Sequence, residues 1–188
     1  MHIRNLLSRV FVRTIFLLGI VLSSLFITSL SAADTQAELE MKIKAAFIYN
    51  FFKFVEWPEE TLKNRHETIS ICILGKDKFG EFFDPVRGKD VNGKRLVIKN
   101  ISSIKDMDDC YILFVSSSER DRLSTIITSL ENSSVLTVSD IDDFAGRGGI
   151  VCFYKEGGNI KFKINLGAAD RAGLKLSSKL LELAKIVK

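Results

Sequence analysis

Three cysteines are the residues of this chain best suited to covalent chemistry. Cys72, Cys110 and Cys152 lie far apart, so they cannot form the C-x-x-C pair of thiol redox enzymes. Three thiols allow one disulfide with one thiol left over, and spacing alone leaves all three pairings open. If the predicted strands at Cys72 and Cys110 are neighbours, these two can meet at the short Cα separation of a disulfide. We expect Cys152, in another predicted strand, to stay a buried free thiol.

Catalytic bases and metal ligands are scarce, because the only histidines are His2 and His66. His66 lies in a charged segment, where a solvated side chain is expected rather than the base of a Ser-His-Asp or Cys-His arrangement. Zinc sites need several Cys or His at close spacing, and the sequence has no such group. The aspartates at 106–109 and 140–143 lack the ligand order of a calcium loop, so we interpret both groups as solvated turns. We therefore predict no catalytic residue, no metal and no cofactor.

A glycine-rich segment contains Gly146, Gly148 and Gly149. A phosphate-binding loop would open a helix, whereas this segment precedes an apolar run that is typical of a strand. We therefore predict a loop with unusual backbone angles. Basic residues are scattered along the chain and give no footprint for nucleic acid.

The N-terminal 33 residues have the order of a secretory signal peptide. Three arginines at positions 4, 9 and 13 precede an apolar run over 15–30, and small residues follow. We predict cleavage between Ala33 and Asp34, which lowers the formal net charge from +4 to +1. The alternative is an uncleaved anchor, for which the run is short and diluted by serine and threonine. Residues 34–188 would then form a single domain in an oxidising compartment.

The remaining chain alternates apolar runs of strand length with helical patterns. The first helix is predicted over 37–55, where apolar residues leave only a narrow polar strip. Such a helix is either buried on several sides or meets a partner. Strands are predicted at 69–75, 96–98, 111–115 and 135–139, with a short helix around 78–83. A second helix is predicted to begin at a capping box, either 116–119 or 118–121, and to run through 130.

The C-terminal third is predicted to contain a hairpin and a long helix. Residues 150–154 and 160–164 flank Gly157-Gly158, which is a natural hairpin turn. Apolar residues at helical spacing predict one final helix over 168–187. Together these elements predict an α/β fold: a mixed sheet of parallel strands plus a C-terminal antiparallel hairpin, flanked by helices.

Several motifs resemble those of the YfiR-like periplasmic proteins. The resemblance is carried by the run Lys44–Pro58, by Gly148-Gly149-Ile150, by Ile164-Asn165-Leu166 and by Ala172–Leu181. It covers essentially all of residues 37–187. The resemblance implies a non-catalytic, often dimeric periplasmic α/β domain with a structural Cys72–Cys110 disulfide. Some members have a second disulfide near the glycine loop; here position 145 is alanine, which leaves Cys152 without that partner.

The resemblance also implies a function. Its best-known form is the binding and restraint of an inner-membrane diguanylate cyclase, which lowers cyclic-di-GMP, and an outer-membrane OmpA-like lipoprotein can sequester the inhibitor. Our first hypothesis is therefore a periplasmic regulator that acts by protein contact and forms a homodimer. The second is a small-ligand sensor with Tyr49, Trp57 or Arg147 near a pocket. The third, a thiol redox enzyme, is disfavoured because C-x-x-C is absent.

Overall fold

A computed structural model describes residues 35–63, 67–131 and 133–187. The chain divides into two compact units, Met1–Glu40 and Met41–Lys188. In the first unit the described residues, 35–40, are helical. The predicted signal peptide, its cleavage site at Ala33 and Asp34, and His66 lie outside the described residues.

Strands and helices largely alternate along the described residues, apart from two runs of consecutive strands. The strands are β1 (Val55–Glu56), β2 (Thr68–Leu74), β3 (Asp90–Val91), β4 (Lys94–Ile101), β5 (Cys110–Val115), β6 (Leu136–Ser139), β7 (Val151–Glu156), β8 (Asn159–Asn165), β9 (Lys175–Leu176) and β10 (Lys185–Val187). The α-helices are α1 (35–51), α2 (Glu59–Lys63), α3 (Leu123–Ser129), α4 (Leu166–Arg171) and α5 (Ser178–Glu182). Short 3-10 helices cover Phe79–Val86, Ile104–Asp106 and Ser117–Arg122.

The main sheet has eight described strands in the order β10-β8-β7-β6-β5-β2-β4-β3. Its centre is parallel, and β7 pairs with β8 as an antiparallel hairpin, with Phe153 opposite Phe162. The predicted mixed α/β sheet with a C-terminal hairpin is therefore confirmed. The Asn92-Gly93 turn, with both residues at positive φ, joins β3 to β4 and adds a second antiparallel pair at the edge.

The central strands are buried on both faces, as expected for parallel strands covered by helices. In β5, Ile112 and Phe114 face one apolar cluster, while Leu113 and Val115 face the other. The first cluster receives α1, the Phe79–Val86 turn and α4, and the second receives α3 and the glycine segment. The alternation of side chains along each strand thus builds two separate cores from one sheet.

Helix α1 is shorter than predicted, because the chain turns at 52–54 and then forms β1. Within the second unit its buried residues include Ala45, Ile48 and Phe51. Phe47 and Phe51 each place a ring centroid 5.5 Å from that of Phe162 in the hairpin. The unusually apolar pattern of this helix is largely explained by burial against the sheet.

The predicted helix over 118–130 is also shorter than expected. Its first part is the 3-10 helix Ser117–Arg122, and α3 begins only at Leu123. Its expected apolar stripe is nevertheless present, because Leu123 and Ile126 are buried.

The single C-terminal helix predicted over 168–187 is wrong. Gly173 adopts φ +70° and ends α4, and the Leu174 amide returns to the Ala169 carbonyl. The next residues form β9, where Leu176 pairs with Val55 of β1. Ser177 then caps α5 by accepting a hydrogen bond from the Leu180 amide. Finally, β10 pairs with β8 in parallel at the edge of the main sheet. Strand pairing of β9 and of β10 therefore interrupts the predicted helix at two places.

Candidate functional site

A cavity of about 650 Å³ opens where α3, the glycine segment, α4 and β10 meet. Its apolar lining includes Leu130, Val135 and Ile150, all of which are buried. Its polar lining includes Arg147, Arg171 and Glu131. The volume lies within the roughly 300–1,000 Å³ typical of small-molecule sites.

Glycines shape one wall of this cavity. Gly148 has φ +106°, and a Cβ there would lie 3.0 Å from the Ile127 Cγ2 atom of α3. A Cβ on Gly149 would collide with the ring of Phe144. The predicted loop with unusual backbone angles is therefore confirmed at Gly148. This residue can approach α3 closely because glycine has no side chain.

Asn165 joins two walls of the cavity. Its Oδ1 atom accepts a hydrogen bond of 2.9 Å from the Ala168 amide and so caps α4. Its Nδ2 atom donates one of 2.7 Å to the Ala145 carbonyl in the glycine segment. Asn165 was predicted only as part of a motif. An Asn directly before a helix is a capping signal, and this signal could have revealed the first of the two contacts.

Of the three residues proposed near a ligand pocket, only Arg147 lines this cavity. Its Nη2 atom donates a hydrogen bond of 2.9 Å to Ser124 Oγ. Trp57 is buried in the first apolar cluster, the one that receives α1, where its Nε1 atom donates a hydrogen bond to the Tyr111 carbonyl. Tyr49 packs on that same core, with the Lys53 ammonium 6.0 Å from its ring centroid. The three side chains are therefore not brought together.

All three cysteines lie in the second apolar cluster, the one that receives α3 and the glycine segment. Cys72 in β2 and Cys110 in β5 are joined by a disulfide, with 5.9 Å between their Cα atoms. The two strands are neighbours, which is the arrangement that this pairing required. Cys152 is a free thiol, only 2% exposed, whose Sγ donates to the Ile141 carbonyl. Burial raises the pKa of the Cys152 thiol, so it is poorly suited to nucleophilic chemistry.

An ion pair that the sequence analysis missed ties α1 to the sheet. The Lys44 ammonium lies 2.6 Å from Asp140 Oδ2, and both side chains are largely shielded from solvent. Asp140 directly follows β6, at the carboxyl edge of the parallel strands. The sequence did contain a signal for this pair: Lys44 lies among apolar residues of the helix, and a buried lysine needs an acidic partner.

Acidic residues do not gather into a metal site in the part of the chain that the structure describes. No group of three His, Cys, Asp or Glu side chains there is placed to hold an ion. Asp142 and Asp143 are exposed, as expected for a solvated turn, but the interpretation is wrong for Asp140 of the same group, which is largely shielded in its ion pair with Lys44.

Comparison with known families decides the identity of the fold family. The sequence profile of the YfiR/HmsC-like proteins matches residues 41–185, which include α1 from Met41, the glycine segment and α4. The chain belongs to the YfiR/HmsC-like family. The matched segment also contains every residue that lines the cavity, apart from the two at its C-terminal edge, Ile186 and Val187.

A solved structure is also similar to this YfiR/HmsC-like chain. It is the crystal structure of a conserved domain protein from Vibrio cholerae O1 biovar El Tor strain N16961. The two chains are 15% identical with a TM-score of 0.49, and the match covers 69% of this chain and 57% of that one. The comparison with curated proteins finds no match.

Within the described residues of this YfiR/HmsC-like protein, no helix has both the length and the apolar character that crossing a bilayer requires.

Proposed function

We propose that this protein is a periplasmic regulator that binds and restrains an inner-membrane signalling protein, most specifically a diguanylate cyclase. The observation that carries the proposal is membership of the YfiR/HmsC-like family over residues 41–185. The secretory pattern of the N-terminal 33 residues supports export to the periplasm.

The regulation works by protein contact and not by catalysis. This part of the proposal is supported by the arrangement of the reactive groups. The disulfide occupies two of the three thiols, and the third is buried with a raised pKa. The cysteine chemistry on which the redox-enzyme hypothesis depended therefore has no accessible thiol in the described residues.

The contact surface that we assign lies around the outer strand β10. Leu183, at the C-cap of α5, is 65% exposed, and Ile186, in the outermost described strand of the main sheet, is 42% exposed. An edge strand presents unpaired backbone groups to a partner, and adjacent apolar side chains add burial on association. Ile43 on α1, at 36%, is another exposed large apolar residue of the second unit.

A crosslinking pull-down of the tagged mature protein from its own cell envelope tests the partner. We expect an inner-membrane cyclase or related sensor to be recovered, and Leu183→Glu to reduce that recovery about tenfold. Ile43→Glu makes the same change on another exposed position and should retain recovery. Recovery of no membrane protein by folded, abundant bait would contradict the proposal; equal recovery with Leu183→Glu would contradict the assigned surface.

The direction of regulation is tested in the cell. Deletion of the gene should raise cyclic-di-GMP, and complementation by the mature protein with its leader should lower it again. Unchanged cyclic-di-GMP after deletion would rule out restraint of a cyclase.

The same proposal includes two further contacts. The protein forms a homodimer, which light scattering of the purified protein checks. An outer-membrane OmpA-like lipoprotein sequesters it, which recovery of that lipoprotein in the pull-down checks.

A further inference from the structure

The cavity beside the glycine segment has an apolar floor. Leu130 comes from the end of α3, Val135 precedes β6, and Ile150 precedes β7. The protein itself buries these side chains, so the apolar surface that stays open in the cavity comes mainly from the partly exposed Ile127 and Leu166 and the exposed Ile186. A planar or aliphatic body that lies on the floor and against these three side chains would remove apolar surface from water on both sides.

Two guanidinium groups line the same cavity. Arg147 comes from the glycine segment and Arg171 from the end of α4. Neither forms an ion pair with a carboxylate of the described residues. The nearest Arg171 guanidinium nitrogen lies 3.5 Å from the position of a Cβ on Gly167, so this side chain folds back along α4. Guanidinium groups are well suited to carboxylates because their planar donors match two oxygens.

The walls that carry these arginines are held by hydrogen bonds within the protein. Ser124 positions Arg147 from α3, and Asn165 links the glycine segment to α4. Thr137 Oγ1 accepts the Ile150 amide at 2.9 Å and fixes the floor. A site that is already formed spends little free energy on ordering when a ligand binds.

We propose that this cavity binds a small organic monoanion, with its apolar body on the floor and its carboxylate against Arg147 and Arg171. Glu131 also lines the cavity, so the lining carries a formal charge of +1 from its two arginines and one carboxylate. That balance favours a single negative charge over the double charge of a phosphate. The inference does not depend on the proposed regulatory function, but the two regions touch, because Ile186 lines the cavity and also belongs to the assigned contact surface.

Isothermal titration of the purified mature protein tests the site with two probes, 3-phenylpropanoate and octanoate. We expect saturable binding of at least one of them, about tenfold weaker binding of its uncharged amide, and no binding of inorganic phosphate. Failure of both acids, equal binding of acid and amide, or preferential binding of inorganic phosphate would overturn the proposal.

Arginine variants locate the bound anion. Arg147→Gln and Arg171→Gln should each weaken binding by about fivefold or more, because each removes one charged donor pair. Arg95→Gln is the matched control: Arg95 is exposed on β4, does not line the cavity, and its loss changes the net charge equally. Binding that is unchanged in both cavity variants, or weakened as much by Arg95→Gln, would place the anion elsewhere. Circular dichroism of each variant verifies that it is folded.

Discussion

At the scale of single residues, the ion pair of Lys44 and Asp140 joins α1 to the end of strand β6. Lys44→Met removes the ammonium and leaves the Asp140 carboxylate partly buried without its partner, 2.6 Å away in the native protein. We expect a loss of about 2 kcal/mol in the free energy of unfolding, between the values for exposed and fully buried pairs. Urea denaturation followed by circular dichroism measures it.

An exposed ion pair provides the control for this substitution. Arg120 and Asp142 lie 4.0 Å apart with both side chains exposed, so Arg120→Met should cost less than about 1 kcal/mol. The double variant Lys44→Met/Asp140→Asn should recover part of the loss, because the unpaired charge is removed. If Lys44→Met unfolds at the same urea concentration as the parent, the pair contributes nothing to stability.

Cys152 gives a prediction about pH. Burial raises the pKa of its thiol in the folded protein above the ordinary value for cysteine. The neutral thiol therefore contributes stability below the ordinary pKa, and that contribution is lost as the pH rises through the folded pKa. Cys152→Ala should show a smaller loss of stability between neutral and alkaline pH than the parent. Identical pH profiles of unfolding in the two proteins would contradict this assignment.

At the scale of elements, Gly173 separates α4 from β9. Its φ of +70° is strained for any residue with a side chain, and a Cβ would lie 3.1 Å from Pro58 Cγ. Gly173→Ala should lower the free energy of unfolding by about 1–2 kcal/mol. Gly167→Ala, inside α4 with only side-chain atoms 3.5 Å away, should be neutral or stabilising by up to about 1 kcal/mol. Thermal unfolding compares them, and a smaller effect at Gly173 than at Gly167 would contradict the argument.

The same segment shows where reading the sequence reaches its limit. Ala169, Ala172, Leu176 and Leu180 do recur at helical spacing, and this pattern predicted one continuous helix. The pairing of Leu176 with Val55 is a long-range contact, and local periodicity does not contain it. Gly173 and Ser177 were the local signals for a helix end and a helix cap. The strands β2 and β5 were predictable because each is a short, mostly apolar run, as both-face burial requires.

At the scale of the whole molecule, the disulfide connects two central strands of the sheet across a sequence separation of 38 residues. In the chain-entropy description, opening a loop of this length costs about 4 kcal/mol of stability. The double variant Cys72→Ala/Cys110→Ala should therefore unfold at markedly lower urea concentration. Cys152→Ala, which removes a thiol but no covalent link, is the matched control at neutral pH. Equal losses in the two proteins would show that packing, and not the link, sets the effect.

The cavity is also a property of the whole molecule. Its lining comes from α3, the glycine segment, α4 and β10, which are separated by tens of residues in the sequence. Arg147 was named as a ligand-site candidate, but nothing in the sequence places Arg171 beside it. Both α4 and β10 fell within the single helix predicted over 168–187, so the position of this cavity wall could not be predicted from the sequence.

Trp57 is the only tryptophan of the chain, so its fluorescence can follow unfolding without an added label. The indole ring lies 5.6 Å, centroid to centroid, from the rings of both Phe52 and Tyr111. It is buried between the turn that follows α1 and strand β5. Its fluorescence emission therefore comes from one buried environment, without a second indole to average over. A red shift of that emission would therefore report, in the unlabelled protein, that Trp57 has lost its packing against Phe52 and Tyr111.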